Sequence, residues 1–272
     1  RISSLEHPNI VKVHNISHVQ DKYFLVTDCI VDNLGETTNL AHYMSERDEG
    51  LDEDELMMFL KQIAGALDYA HSQKRQGAEG FVHGDLKLNN ILVGRDGGKP
   101  KVFISDFGLS RIIGTSALLS RMYAYLASSL EIQPVAENKT LHEDKYAVGN
   151  YDMHKVSKLH SSFLQHYLFL APEQKRAHDT RLIDYKSDIY SFGVLAYYLM
   201  TKGFPEGAFE YPSQMYGKYN KSWDNIIFQC LQKNPQRRPN NIMSLLGDTT
   251  AKDVSQYTIT MPEEKKSERQ EQ

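Results

Sequence analysis

Residues 83–93 read HGDLKLNNILV, placing His83, Asp85, Lys87 and Asn90 within eight positions before the chain turns wholly apolar. A carboxylate such as Asp85 can accept a proton, and the lysine two residues on supplies a fixed positive charge. The Asn90 carbonyl oxygen and the carboxylate of Asp106, in Asp106-Phe107-Gly108, are hard oxygen donors of the kind Mg²⁺ prefers. Taken one at a time these are bland: aspartate and asparagine ahead of a strand are most often turn formers. Only 15 residues separate Asn90 from Asp106, so a hairpin between them would bring both to one place.

The surrounding pattern supplies such a hairpin, with "ILV" and "KVFIS" flanking the turn "GRDGGKP". Residues 10–19 and 23–31 are two further β-rich runs across the polar turn "QDK". From Asp52 the period changes. Leu56, Phe59, Leu60, Ile63, Leu67 and Ala70 recur at steps of three and four, predicting a helix with one face on the core and Asp52 or Asp54 at its N-terminus. "KSDIYSFGVLAYYLM" is apolar enough for a buried helix, and residues 222–246 predict two shorter helices around "NPQRRP". The closing run "TMPEEKKSERQEQ" has almost nothing apolar, and 247–272 is expected to be a disordered tail.

Composition excludes several classes. The chain has 272 residues, 40% apolar and 24% charged, which fits a folded globular protein. Its 31 basic and 35 acidic residues leave a net charge of −4, which gives no reason to expect nucleic-acid binding. Cys29 and Cys230 stand far apart, so neither a disulfide framework nor a zinc site is indicated, and a cytoplasmic location fits. No apolar run approaches the roughly 18–20 residues that cross a bilayer.

His83-x-Asp85-Leu86-Lys87-x-x-Asn90, Asp106-Phe107-Gly108 and Ala171-Pro172-Glu173, in that order, resemble the eukaryotic-type serine/threonine protein kinase family. "LEHPNIVKV", "SDIYSFGVL" and "NPQRRP" extend the resemblance over about residues 1–246. It implies an α+β, protein-kinase-like fold. Residues 1–31 would close the N-terminal lobe and hinge, and 32–246 would form a mainly helical C-terminal lobe with a long insertion at about 109–170. It also implies ATP and Mg²⁺ as cofactors and a protein substrate. By resemblance Asp85 would act as base, Lys87 would place charge near the transferred phosphoryl group, and Asn90 and Asp106 would hold Mg²⁺. Thr27 would be the gatekeeper, the backbones of Asp28 and Ile30 would meet adenine, and Leu92 would floor the adenine slot. His83 is expected to support the loop as a packed ring. Glu173 and Arg238 match a buried ion pair, whereas Asp188 could either hold the catalytic loop or simply cap its helix.

The chain also departs from the family pattern. Gly84 replaces an arginine that would grip a phosphate on the activation segment, and Gln165-His166 replace a Gly-Thr pair. Lys87 favours the serine/threonine branch. The 62 residues between Gly108 and Ala171 exceed the common length, and a lid or partner-docking element is expected there, with a helical pattern in "SALLSRMYAYLASSL". No two of the 17 glycines stand two residues apart, so GxGxxG is absent and Gly94-x-x-Gly97-Gly98 is a hairpin turn, not a phosphate cradle. His14 and His18 lie on a predicted strand, where i and i+4 side chains are too far apart to share a metal. Opening at Arg1, the chain is expected to be a fragment whose glycine-rich loop, ATP-gripping lysine and partner glutamate lie upstream, and to be weakly active alone. The rival reading is a pseudokinase, a kinase fold kept for binding partners. A kinase of small molecules or lipids is a third option, which the protein-kinase landmarks disfavour.

Overall fold

The computed structural model describes residues 4–19, 22–32, 34–73, 80–108, 166–176 and 183–247. Most of the long insertion, the helix expected within it, Gln165 and the C-terminal tail lie outside the described residues.

Strands β1 (Val13–Val19) and β2 (Lys22–Thr27) pair antiparallel as one sheet. A second sheet has the order β3 (Thr38–Asn39), β4 (Ile91–Asp96), β5 (Lys99–Ile104), all antiparallel. Two differences from the predicted strands are informative. β1 begins at Val13 because Ile10 instead makes an isolated parallel bridge to Ile104. There Ile104 donates to the Asn9 carbonyl at 2.8 Å and Val11 donates to the Ile104 carbonyl at 2.9 Å. The hairpin turn is also shorter than "GRDGGKP": Asp96 pairs with Lys99, leaving Gly97 (φ 56) and Gly98 (φ 83) as its two central residues. Both are left-handed, which a two-residue turn matching the strand twist requires.

The helical body contains α1 (Leu40–Ser45), α2 (Glu53–Ser72), α3 (Pro172–Arg176), α4 (Lys186–Thr201), α5 (Pro212–Met215), α6 (Lys221–Cys230) and α7 (Ile242–Gly247). The Asp52 side chain caps α2 by accepting from Glu55 N at 2.8 Å. Its predicted face is the buried one, with Leu56, Phe59, Leu60, Ile63, Leu67 and Ala70 fully enclosed. Each large side chain so buried contributes about 1.5–3 kcal/mol. α4 is enclosed on nearly all sides, so it runs through the core and can support polar loops from within.

Distant segments are tied to this body by single polar side chains. Asn9 Nδ2 donates both to Gln62 Oε1 on α2 and to the Val102 carbonyl on β5, at 2.9 and 2.8 Å. The Asp68 carboxylate accepts from the N–H groups of Ile242 and Met243, capping α7. No helix among the described residues is long and apolar enough to cross a membrane.

Candidate active site

Residues 83–87 form a non-helical loop that enters β4 by a short 3₁₀ turn at Leu88–Asn90. The start of this loop is held by side chains of other elements. The Asp188 carboxylate, 1% exposed in the first turn of α4, accepts from His83 N at 2.8 Å and Gly84 N at 2.7 Å. His71 Nε2 of α2 lies 2.8 Å from the same carboxylate. Burial alone would raise the Asp188 pKa, but the His71 contact and the bonds it accepts outweigh this and hold it below its ordinary value. Of its two possible roles, Asp188 therefore fills the loop-holding one: the N-cap position of α4 is Tyr185.

His83 is fully buried. Its Nδ1 accepts from Asp85 N at 3.1 Å, so the ring hydrogen sits on Nε2 and donates to the Ser105 carbonyl at 2.8 Å. Its ring meets Phe107 edge-on with centroids 4.8 Å apart. The histidine thus couples the loop to the Asp106-Phe107-Gly108 turn, in line with the packed, supporting ring expected of it.

Asp85 Oδ2 accepts from Lys87 Nζ at 2.6 Å and Asn90 Nδ2 at 3.1 Å, and Asn90 Nδ2 also donates to the Asp85 carbonyl at 2.8 Å. With its nitrogen so committed, Asn90 has Oδ1 as the atom left for a cation. Asn90 and Asp106 are joined through the intervening residue, because Ser105 N donates to the Asn90 carbonyl at 2.9 Å. Asp106 is exposed and takes φ 61, a left-handed conformation uncommon for a residue with a Cβ; such outliers cluster at functional sites. An Asn carbonyl and a carboxylate fit Mg²⁺, which usually binds one or two protein oxygens and fills its shell with water and phosphate. Among the described residues no three His, Cys, Asp or Glu side chains group to hold a metal, which such a two-donor site does not require.

Thr27, Leu92 and Asp106 line one cavity with Val11, Val13 and Leu25. At about 80 Å³ it is well below the ~300–1,000 Å³ usual for a small-molecule site. Asp28 and Ile30 lie on the chain leaving β2, outside that lining. Asp28 N donates to the Lys12 carbonyl at 3.0 Å, and its own carbonyl accepts from the Thr27 hydroxyl at 3.2 Å. A larger cavity, about 420 Å³, is lined by Asp32, Glu36, His42, Tyr43, Arg95 and neighbours, and holds none of the predicted site residues.

Two residues near the loop were not assigned roles there from sequence. His166 is largely buried, and that burial, reinforced by the Lys87 charge and opposed by Asp85, lowers its pKa to about 4. It was noted only as a replacement for threonine. Gln174 is 4% exposed, and its side chain bridges Ala171 N and the Gly84 carbonyl. A polar residue one position after Ala-Pro-Glu was its only sequence signal. Further from the loop, the Glu173–Arg238 pair is bidentate, at 2.6 and 2.8 Å, with the arginine side chain fully enclosed.

Comparison with known proteins points the same way. The protein kinase domain family model matches residues 1–130. Serine/threonine-protein kinase pkn1 of Chlamydia caviae is 30% identical over 250 residues, covering 92% of this chain and 33% of the relative. Pkn1 of Chlamydia trachomatis serovar L2 is 27% identical over 259 residues, covering 95% of this chain and 35% of the relative. The chain thus spans about a third of the length of these curated relatives. The crystal structure of the Mycobacterium tuberculosis PknI kinase domain superposes with a TM-score of 0.56 at 17% identity, covering 92% of this chain and 74% of that one, which shows a shared fold. With the ordered landmarks, the family match over residues 1–130 and the fold in agreement, this chain is similar to the kinase domain of the eukaryotic-type serine/threonine protein kinase family.

Proposed function

We propose that this chain transfers the γ-phosphoryl group of ATP to serine or threonine hydroxyls of a protein substrate. The observation that carries this reading is the joint placement of Asp85, Lys87 and Asn90 in one hydrogen-bonded cluster, linked through Ser105 to Asp106. Phosphoryl transfer demands positioning and charge neutralisation more than covalent chemistry, and this cluster is held for both.

Asp85 orients the attacking hydroxyl and takes its proton. Because Lys87 and Asn90 both donate to Oδ2, the hydroxyl approaches Oδ1. Lys87 keeps its ammonium beside the carboxylate, where it screens the charge that develops on the transferred group. Asn90 Oδ1 and the Asp106 carboxylate would hold Mg²⁺, which would supply charge neutralisation to the phosphates of ATP. Leu92 and Thr27 offer the purine an apolar floor and a side wall, with the backbones of Asp28 and Ile30 at the edge. Residues 109–170 would serve as a lid or as a docking element for a partner in this reading.

The test is phosphate transfer from ATP and Mg²⁺ to a generic protein substrate by the intact protein. Asp85→Asn keeps the shape and removes the base, and should lower the rate about 10²–10⁴-fold. An unchanged rate removes Asp85 from the role of base. His166, which stands where the family carries a threonine, favours a second reading in which the fold serves binding alone. Wild-type protein that transfers no phosphate yet retains a partner would establish that one.

A further inference from the structure

The backbone around Asp85 is pinned more completely than the family motif alone requires. Gly84 takes φ 76, a left-handed conformation that glycine adopts without the penalty a Cβ brings. This turns its carbonyl away from the N–H that Asp188 accepts and toward α3. There Gln174 Nε2 donates to the Gly84 carbonyl at 2.7 Å, while Gln174 Oε1 accepts from Ala171 N at 2.9 Å. The amide orientation is forced, since an N–H must meet the oxygen and a carbonyl the nitrogen. The peptide unit joining Gly84 to Asp85 is consequently held on both sides, its carbonyl by Gln174 and its N–H by His83 Nδ1. That plane sets the direction in which the Asp85 Cα–Cβ bond leaves the backbone.

We propose that Gln174 is a positioning residue for the reaction: its side-chain amide ties the Gly84–Asp85 peptide to Ala171 and so fixes the direction in which Asp85 is presented. The proposal rests on the phosphoryl-transfer reading for its effect on rate. Half of the interaction has an ordinary explanation. Ala171 directly precedes α3, and a glutamine at the third helical position commonly reaches back to the backbone N–H at the helix start. The other half does not, because Gly84 lies 90 residues upstream on the catalytic loop.

Two variants separate the halves. Glutamate can still accept from Ala171 N, but when ionised it has no hydrogen to donate to the Gly84 carbonyl, and when protonated it has one. Methionine fills similar space and makes neither bond. In the intact protein, Gln174→Met should lower kcat about 10- to 100-fold, the scale of a misplaced catalytic group, with KM for ATP little changed. Amide hydrogen exchange at both Ala171 and Asp85 should quicken. Gln174→Glu should keep Ala171 protected, quicken exchange at Asp85, and lower kcat at neutral pH. Its rate relative to wild type should rise as pH falls and the carboxyl takes up a proton. The proposal is overturned if folded Gln174→Met retains the wild-type kcat, or if the Gln174→Glu to wild-type ratio is flat with pH; Gln174 is then a helix cap only. If the wild-type protein transfers no phosphate, the kinase reading fails by itself. Asp85 exchange in Gln174→Glu then decides the tether, and unchanged protection sinks it.

Discussion

The loop from His83 to Asn90 and the β1–β2 hairpin are built by opposite means. Between His83 and Asn90, polar groups meet partners from far along the chain: Asp188 of α4, Ser105 after β5, and Gln174 of α3. His83 is fully enclosed, and Lys87 and Asn90 are each only 8% exposed. In the hairpin most backbone bonds are local, and Ile16, Phe24 and Val26 remain 45–50% exposed. The loop gains its geometry from the helical body, so it should respond to changes many residues away. The hairpin should respond mainly to changes in its own pairing.

The largest expected effect lies at the base of that helical support. Arg238 donates to Glu173, to the Gln232 carbonyl and to the Lys186 carbonyl while fully enclosed. Arg238→Met leaves the Glu173 carboxylate half-buried without its partner and should cost about 3–5 kcal/mol in urea unfolding. A loss under about 1 kcal/mol would mean that the body tolerates a missing anchor and that the contrast is overstated.

Asp188→Asn comes next. Its amide can no longer offer acceptors to His83 N, Gly84 N and His71 together, so one buried donor loses its partner, at about 1–3 kcal/mol. Hydrogen exchange at Gly84 should rise while exchange in β1 and β2 stays unchanged. Equal rises in both regions would show that they are coupled.

A pH effect of intermediate size is expected from His166. Its pKa falls from 6.5 to about 4 on folding, so within that window the unfolded chain binds the additional proton. Stability should therefore fall as pH drops from 6.5 towards 4, and His166→Gln should flatten that slope. Glu173 adds a separate acid sensitivity. Burial would raise its pKa, but the Arg238 and Ser187 hydrogen bonds prevail and lower it, so its contribution is lost as pH falls through the lowered value. Urea midpoints of wild type and His166→Gln across this range separate the two.

The smallest effect should come from the hairpin surface. Phe24 is 49% exposed, and Phe24→Ser should shift stability by no more than about 0.5 kcal/mol, as is usual for exposed positions. A loss above about 2 kcal/mol would show that this face is packed against something and would end the contrast with the loop.

How much of this was legible depended on whether the signal was local. The α2 face was readable from Leu56 to Ala70 because helical period and burial coincide there. Asp52 could be placed only to within two residues, because both Asp52 and Asp54 satisfy the capping chemistry. β3 left no trace, since two residues carry no period and Thr38–Asn39 is a strand only because β4 pairs with it. The residue types of the candidate site stood out in the order of three short motifs. Gln174 did not, because its partner at Gly84 is 90 residues away and nothing local marks a glutamine as buried.

The sequence by itself determined the family resemblance, the order of the reactive residues, the main helical face and the turn glycines, all of which depend on neighbours within a few positions. Tertiary structure alone decided that Asp188 holds the loop instead of capping a helix, that His83 carries its hydrogen on Nε2, and that Gln174 reaches the peptide before Asp85. Each of these is a choice of partner for a buried polar group. Such a group must be satisfied by whatever the fold places within about 3 Å, and that neighbour is set by packing across the chain.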